Sequence, residues 1–318
     1  MFLSLDFTAI VDTLIPFLMI FMFNYKKEFY YKVLYQSSKI VAIICVFSIF
    51  SNYTGVFDLI PNGPWSSNFG QAGFGGYRTG YSNSLFLYIP ILVFWHRVKK
   101  KNLLALDFFL ILLIIHAQYI SGGRAGIIAS LVVLLIWLRV SVVYKLTLLI
   151  FILFASQLDL VQEQFRFQDL ETTDDTSLDK ISSGRVVLNT YYFNKFLEAP
   201  VFGYGFGKKP EMFTAIAPHI VWLRLLIDGG IFYFFLILWF FREVFVKVKN
   251  NITLTSEERK LFYSIFFTTF IIMFLEPNYL IGSVQGEIAY WVVISLLLKP
   301  TIFKVNNTSL DNTNNTLY

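Results

Sequence analysis

Charge is scarce in this chain: 15% of its 318 residues are Asp, Glu, Lys or Arg, against roughly 25% in ordinary soluble domains. With 56% hydrophobic residues and a mean hydropathy of +0.61, the soluble globular class is excluded. Cysteine is nearly absent too. The single thiol, Cys45, stands in an apolar run, so no intrachain disulfide can form and cysteine usage says nothing about redox compartment. Also missing is the pattern of a cleaved leader. Asp6 and Asp12 stand where a positive n-region belongs and no small-residue cleavage site follows, so Phe7 to Phe23 is expected to be a retained helix. No internal repeat is evident, including the inverted repeat of many transporters. The acidic run Asp169, Glu171, Asp174, Asp175 and Asp179 lacks the turn glycine of a calcium loop, and reads as a solvated loop rather than a metal site.

What the chain does have is aromatic and apolar mass. Its 36 phenylalanines and 18 tyrosines suit lipid-facing and interfacial positions. A spanning helix needs about 20 mostly apolar residues. On that rule the expected fold is all-α, a polytopic integral membrane protein of about nine transmembrane helices, at 7–23, 40–57, 83–95, 103–120, 125–139, 144–160, 219–241, 261–276 and 279–298. They form a single transmembrane domain over 1–305 with one long outward-facing loop at 161–218, periplasmic if the chain is bacterial. The Asn- and Thr-rich tail at 306–318 is expected to be disordered and cytoplasmic. Basic residues cluster in the connections 24–39, 96–102, 139–145 and 242–260, and these alternate with connections poorer in Lys and Arg. The alternation puts the amino terminus outside and the carboxyl terminus inside. The net charge of +5 therefore reports topology first, and implies no nucleic-acid partner.

Three outward loops each set an arginine beside glycine. Arg78 lies in a Gly-rich loop at about 58–82, and Arg124 in the turn Ser121-Gly122-Gly123-Arg124-Ala125-Gly126. Arg185 follows Ser182-Ser183-Gly184, a good helix cap, and Pro200 ends the helix it opens. A cation in a first turn opposes the helix dipole. An anion on the free N–H groups reverses that cost and pairs with the guanidinium. Arg124 sits between two membrane helices, where a charge is usually retained for function, although snorkelling or capping of carbonyls is the alternative.

His219 follows Pro218 and begins an apolar helix. The positive helix end and nearby arginines disfavour the imidazolium, which leaves a neutral ring able to accept a proton. His96 reads as a loop residue on the basic side, and His116 as a buried, hydrogen-bonded group. Arg224 and Asp228, four apart on one apolar helix, are expected to pair and to face the protein interior or a cavity.

Taken in order, Arg78 to Asn83, the Ser-Gly-Gly-Arg-Ala-Gly turn, Gly184-Arg185, Pro200 to Gly207, and a histidine opening a helix that reaches Asp228-Gly229-Gly230 resemble the O-antigen polymerase and O-antigen ligase family over about residues 75–235. Two positions depart from its pattern: Ile220 stands where Asn usually follows the histidine, and Asp228 where Glu is frequent. The chain is also shorter than many relatives. The resemblance implies a fold similar to GT-C glycosyltransferases in the bacterial inner membrane, active at the periplasmic face. It implies transfer of glycan from undecaprenyl diphosphate to a sugar hydroxyl, with inversion and without metal or cofactor. Arg124, Arg185 and Arg78 would then hold the diphosphate and His219 would be the base. Arg224, Asp228, Gly203, Gly205 and Gly207 would support the site, the glycines by letting backbone approach glycan or lipid. Implied partners are the lipid-linked oligosaccharide, membrane lipids, and a chain-length regulator or flippase. Polymerase and ligase share this donor chemistry; a lipid or polysaccharide transporter is the reading from another class.

Overall fold

Apolar residues recur along Lys27–Thr54 at helical spacing, and in the computed structural model this whole stretch is one helix, α1. The structure describes residues 27–54, 83–138, 141, 143–144, 185–205, 220–275 and 288–298. Within them lie eight main helices, a few shorter helical pieces and no strand: α1, α2 (Tyr88–Val98), α3 (Ala105–Ser121), α4 (Arg124–Trp137), α5 (Arg185–Glu198), α6 (Val221–Asn250), α7 (Ser256–Leu275) and α8 (Ile288–Leu298). The described residues thus agree with the all-α class. By length and composition, Lys27–Ser51 and Val221–Asn250 are long and apolar enough to cross a membrane. The expected spans 7–23 and 144–160 lie outside the described residues, but for a short helical piece at 143–144, as does the tail.

Two expected connections are helix instead. The Lys-rich stretch 24–39 is helical from Lys27 onward, and α6 runs through 242–250, leaving only 251–255 as the link to α7. Lysine, glutamate and glutamine are good helix formers, and apolar residues continue the stripe through the charged part, as with Tyr31, Leu34 and Tyr35 in α1 and Val244 and Val248 in α6, all buried. The basic side chains therefore do not mark where these helices stop.

A single core joins α1, α2, α3, α4, α6, α7 and α8, while α5 packs on α6. α1 buries Ala42, Cys45, Val46 and Ile49 and exposes Ile40, Ile43, Ile44 and Phe47. A helix apolar on both faces is what a lipid-facing position allows. Sparse polar contacts register the helices, as is common where the surroundings are apolar. Ser130 Oγ donates to Gln118 Oε1 at 2.8 Å, tying α4 to α3, and Trp137 Nε1 donates to Ser264 Oγ at 3.2 Å, tying α4 to α7. Aromatic rings fill the α6–α7 seam, with Trp222 and Phe241 both against Phe270 at centroid distances of 5.3 and 5.1 Å.

Two buried carboxylates clasp one end of this bundle. Asp107, fully buried in the first turn of α3, accepts hydrogen bonds from Tyr35 OH at 2.5 Å and His96 Nε2 at 2.6 Å, and is paired with Lys39 Nζ at 2.7 Å. Glu258 accepts from Tyr31 OH and lies 3.7 Å from Lys27 Nζ. It also forms a capping box with Thr255, which stabilises the start of α7 by about 1 kcal/mol: Thr255 N–H donates to Oε2 at 2.7 Å and Glu258 N–H to Thr255 Oγ1 at 3.2 Å. The two histidines are therefore reversed relative to expectation. His96 is buried at the end of α2 because a carboxylate on the next helix receives it. His116 is exposed on α3, stacks near Tyr119 and lies tilted against Phe50.

Candidate functional site

Two glycine motifs far apart in sequence meet at a break in α6. At Gly230 the backbone turns to φ 66, ψ −168, so the helix bends between its first ten residues and the remainder. Ile231 N–H no longer bonds the carbonyl four residues back and donates to Pro200 O at 2.9 Å instead. The carbonyls released by the break are taken up by the same turn: Tyr204 N–H donates to Ile227 O at 2.7 Å and Gly205 N–H to Asp228 O at 2.9 Å. Two carbonyls and one N–H released by the break are thereby satisfied by the turn, as an apolar setting favours.

The turn reaches α6 because α5 stops where it does. Pro200 cannot continue the helix, and Gly203 closes the turn with a bond to Ala199 O at 3.0 Å. Close approach demands glycine on both sides. A Cβ on Gly203 (φ 65) would lie 2.4 Å from Ile227 O, and one on Gly230 would lie 2.2 Å from Val201 O. Gly203 and Gly205 thus bring backbone to the bend in α6. Behind the turn, Tyr192 and Phe196 of α5 pack against Leu223 and Ile227 of α6 as a small second core.

Arg224 and Asp228 sit one turn before the break. Arg224 Nε lies 3.4 Å from Asp228 Oδ2 and both side chains are half-buried, as their spacing predicts. Asp228 is consequently held twice, through its carbonyl by Gly205 and through its carboxylate by Arg224. On the outer rim of the turn, Lys195 Nζ at 2.7 Å and Tyr204 OH at 2.8 Å both donate to Glu198, and hold its carboxyl below its usual value of 4.5. Such a depressed group stabilises the fold fully above its ordinary value and loses that contribution as pH falls through the lower folded value. Hydrogen-exchange protection of residues 199–205, corrected for intrinsic rate, is expected to decline as pH drops below 4.5, and Glu198→Gln should flatten that decline. A profile unchanged by the substitution would show that the rim contacts do not brace the turn.

Arg124 opens α4 on a separate hairpin. There α3 ends in a Schellman turn: Gly122 (φ 65) donates to Tyr119 O at 3.0 Å and Gly123 N–H to Gln118 O at 3.3 Å. The chain re-enters a helix at once, with no side-chain cap at Gly123. Arg124 therefore occupies the first helical position after Gly123, as the turn predicts, while Arg185 is the first described residue of α5; the side chains of both lie outside the described parts. Arg78, Gly207 and His219 lie outside the described residues altogether.

Sequence reasoning missed the Asp107 cluster. Its signal was an aspartate inside an otherwise apolar helix, which is too costly to leave without partners. No family model, curated protein or solved structure matches this chain.

Proposed function

We propose that this chain is a polytopic protein of the bacterial cytoplasmic membrane, with about nine spans, that transfers glycan from an undecaprenyl diphosphate carrier at the periplasmic face, as an O-antigen or related surface-polysaccharide polymerase. The observation that carries this reading is the placement of Arg124 as the first residue of α4, directly after Gly123, with Arg185 at the amino-terminal end of the described part of α5. A cation there opposes the dipole unless an anion joins it, and two such positions suit a diphosphate. The docking of the Pro200–Gly205 turn on the bend beside Asp228 adds support, because it joins two of the family-like motifs into one unit.

In this mechanism the acceptor sugar hydroxyl attacks the anomeric carbon as His219 removes its proton. The bond from that carbon to the diphosphate oxygen breaks with inversion, and the electron pair leaves on the diphosphate. Guanidinium groups of Arg124 and Arg185, with Arg78, take up the developing charge bidentately, which needs no metal. The Gly203–Gly205 turn and the Arg224–Asp228 pair hold the entry of α6, which begins just after Ile220, in position. Partners on this reading are the lipid-linked repeat unit, membrane lipids, and a chain-length regulator or flippase.

The test is a gel of surface polysaccharide from a strain lacking the gene, complemented with wild type, His219→Ala, Arg124→Ala or Arg185→Ala, each checked for membrane insertion. Loss of the ladder with one repeat unit still on lipid A–core is the expected result. Polymer accumulating on the carrier with none attached would make the protein the ligase. Unchanged ladders in all three variants would sink both. Arg124→Lys and Arg185→Lys should also impair the product, since an ammonium cannot form the fork.

A further inference from the structure

Helix α5 has three sides. At 100° per residue, Leu188, Tyr192 and Phe196 form the side packed toward α6. Roughly 120° around the helix, Val186, Phe193 and Leu197 form a second apolar stripe, and all three are exposed. Thr190, Asn194 and Glu198 occupy the remaining, mostly polar arc, where Val187 is also exposed. A helix of a soluble protein has one apolar side; this one has a buried side, a bare apolar side and a wet side.

The bare stripe does not end with the helix. It continues into Val201 and Phe202, the latter 75% exposed. The Phe202 ring stacks on Phe232 at 5.6 Å and 15°, and Phe232 begins the exposed row of α6 that includes Phe235, Leu236 and Trp239. That row belongs to one of the two helices long and apolar enough to cross a membrane. One apolar surface, with no charged residue among the positions named, thus runs from α5 across the turn onto the outside of α6.

We infer that α5 and the turn after it lie in the outer interface of the bilayer, with lipid acyl chains covering Phe193, Leu197, Val201 and Phe202. The inference rests on the membrane placement of α6 in the reading above. Continuity with the α6 row identifies the occupant, because whatever solvates Phe235 and Trp239 solvates Phe202 as well. An amphipathic helix in this position lies flat at the acyl–headgroup boundary. For the proposed reaction, this holds Arg185, at the amino-terminal end of the described part of α5, at the depth of lipid phosphates.

The experiment uses full-length protein with Cys45→Ser, reconstituted in nanodiscs of phosphatidylcholine and phosphatidylglycerol. Nitroxides are attached singly after Phe193→Cys, Leu197→Cys, Phe202→Cys, Asn194→Cys or Phe235→Cys, and power saturation compares collisions with oxygen and with Ni(II)EDDA. Labels at 193, 197 and 202 are expected to favour oxygen several-fold, like the label at 235, while the label at 194 favours the nickel complex. Nickel access at 193, 197 and 202 with a lipid-exposed 235 overturns the inference and leaves the membrane reading intact. Nickel access at 235 as well overturns both. Shielding of 193, 197 and 202 from both reagents means that protein, such as a second copy, covers the stripe, and also overturns it. If a cysteine variant fails to assemble, benzoylphenylalanine replacing Phe202 gives a parallel readout: a lipid adduct in the mass spectrum supports the inference, and adducts with a second protein chain, or no adduct beyond the intramolecular one to the neighbouring Phe232, overturn it.

Discussion

Replacing Gly230 by alanine is expected to destabilise the protein by about 3 to 5 kcal/mol, read as a lower midpoint in thermal or SDS unfolding of the micelle-solubilised protein. Two effects combine. The conformation at φ 66, ψ −168 belongs to a region that only glycine occupies readily, and a side chain there costs about 1–3 kcal/mol. The new Cβ would also meet Val201 O at 2.2 Å and Val201 C at 2.4 Å. These are backbone atoms and cannot rotate aside. Relief requires moving the turn away from α6, which strains the bonds from Tyr204, Gly205 and Ile231, each worth about 1 kcal/mol net. Gly203→Ala attacks the same contact from the other side, with its Cβ 2.4 Å from Ile227 O. Once one substitution has parted the surfaces the other has little left to disturb, so the double variant should lose less than the sum. A wild-type midpoint for Gly230→Ala would mean that the turn does not rest on the break.

Asp107→Leu should cost about 3 kcal/mol or more in the same assay, because breaking a buried ion pair by removing one partner leaves the other charge unsatisfied. The carboxylate serves three helices at once: Lys39 and Tyr35 from α1, His96 from α2, and its own α3. Lys39 retains 17% side-chain exposure and can move partway toward solvent, while His96 at 6% cannot. The loss therefore belongs at the lower end of the range for fully buried pairs. The companion variant Lys39→Met with Asp107→Leu replaces both charges by apolar groups and should recover part of the loss. If the double variant is no better than Asp107→Leu alone, the cost lies with Tyr35 and His96 rather than with the ammonium.

Local signals in the sequence were read more faithfully than distant ones. Glycine at 122, proline at 200 and the four-residue spacing of Arg224 and Asp228 each describe a neighbourhood of a few residues, and the structure has the turn, the stop and the pair where those residues indicate. Helix ends among lysines were misjudged because hydropathy falls there although helix propensity does not. The partners of Asp107 lie up to 72 positions away, and periodicity carries no information about which helices become neighbours. His96 and His116 fail for that reason: burial was decided by the carboxylate opposite, not by the run in which each histidine sits. The Pro200–Gly205 turn and the Asp228–Gly230 bend were both visible as motifs, yet nothing in either names the other.

The joined turn and bend also set how freely this part of the protein can change in evolution. Gly205 is fastened to Asp228, and Ile220 stands directly before α6. At 1.5 Å per residue along the helix, the segment 206–219 leaves and returns within roughly 12 Å. Closing such an excursion costs only about 0.6 kcal/mol more for each doubling of its length. Insertions there are thus nearly neutral for the scaffold, so this segment is free to vary in length between two fixed posts while the helices beneath keep their sequence.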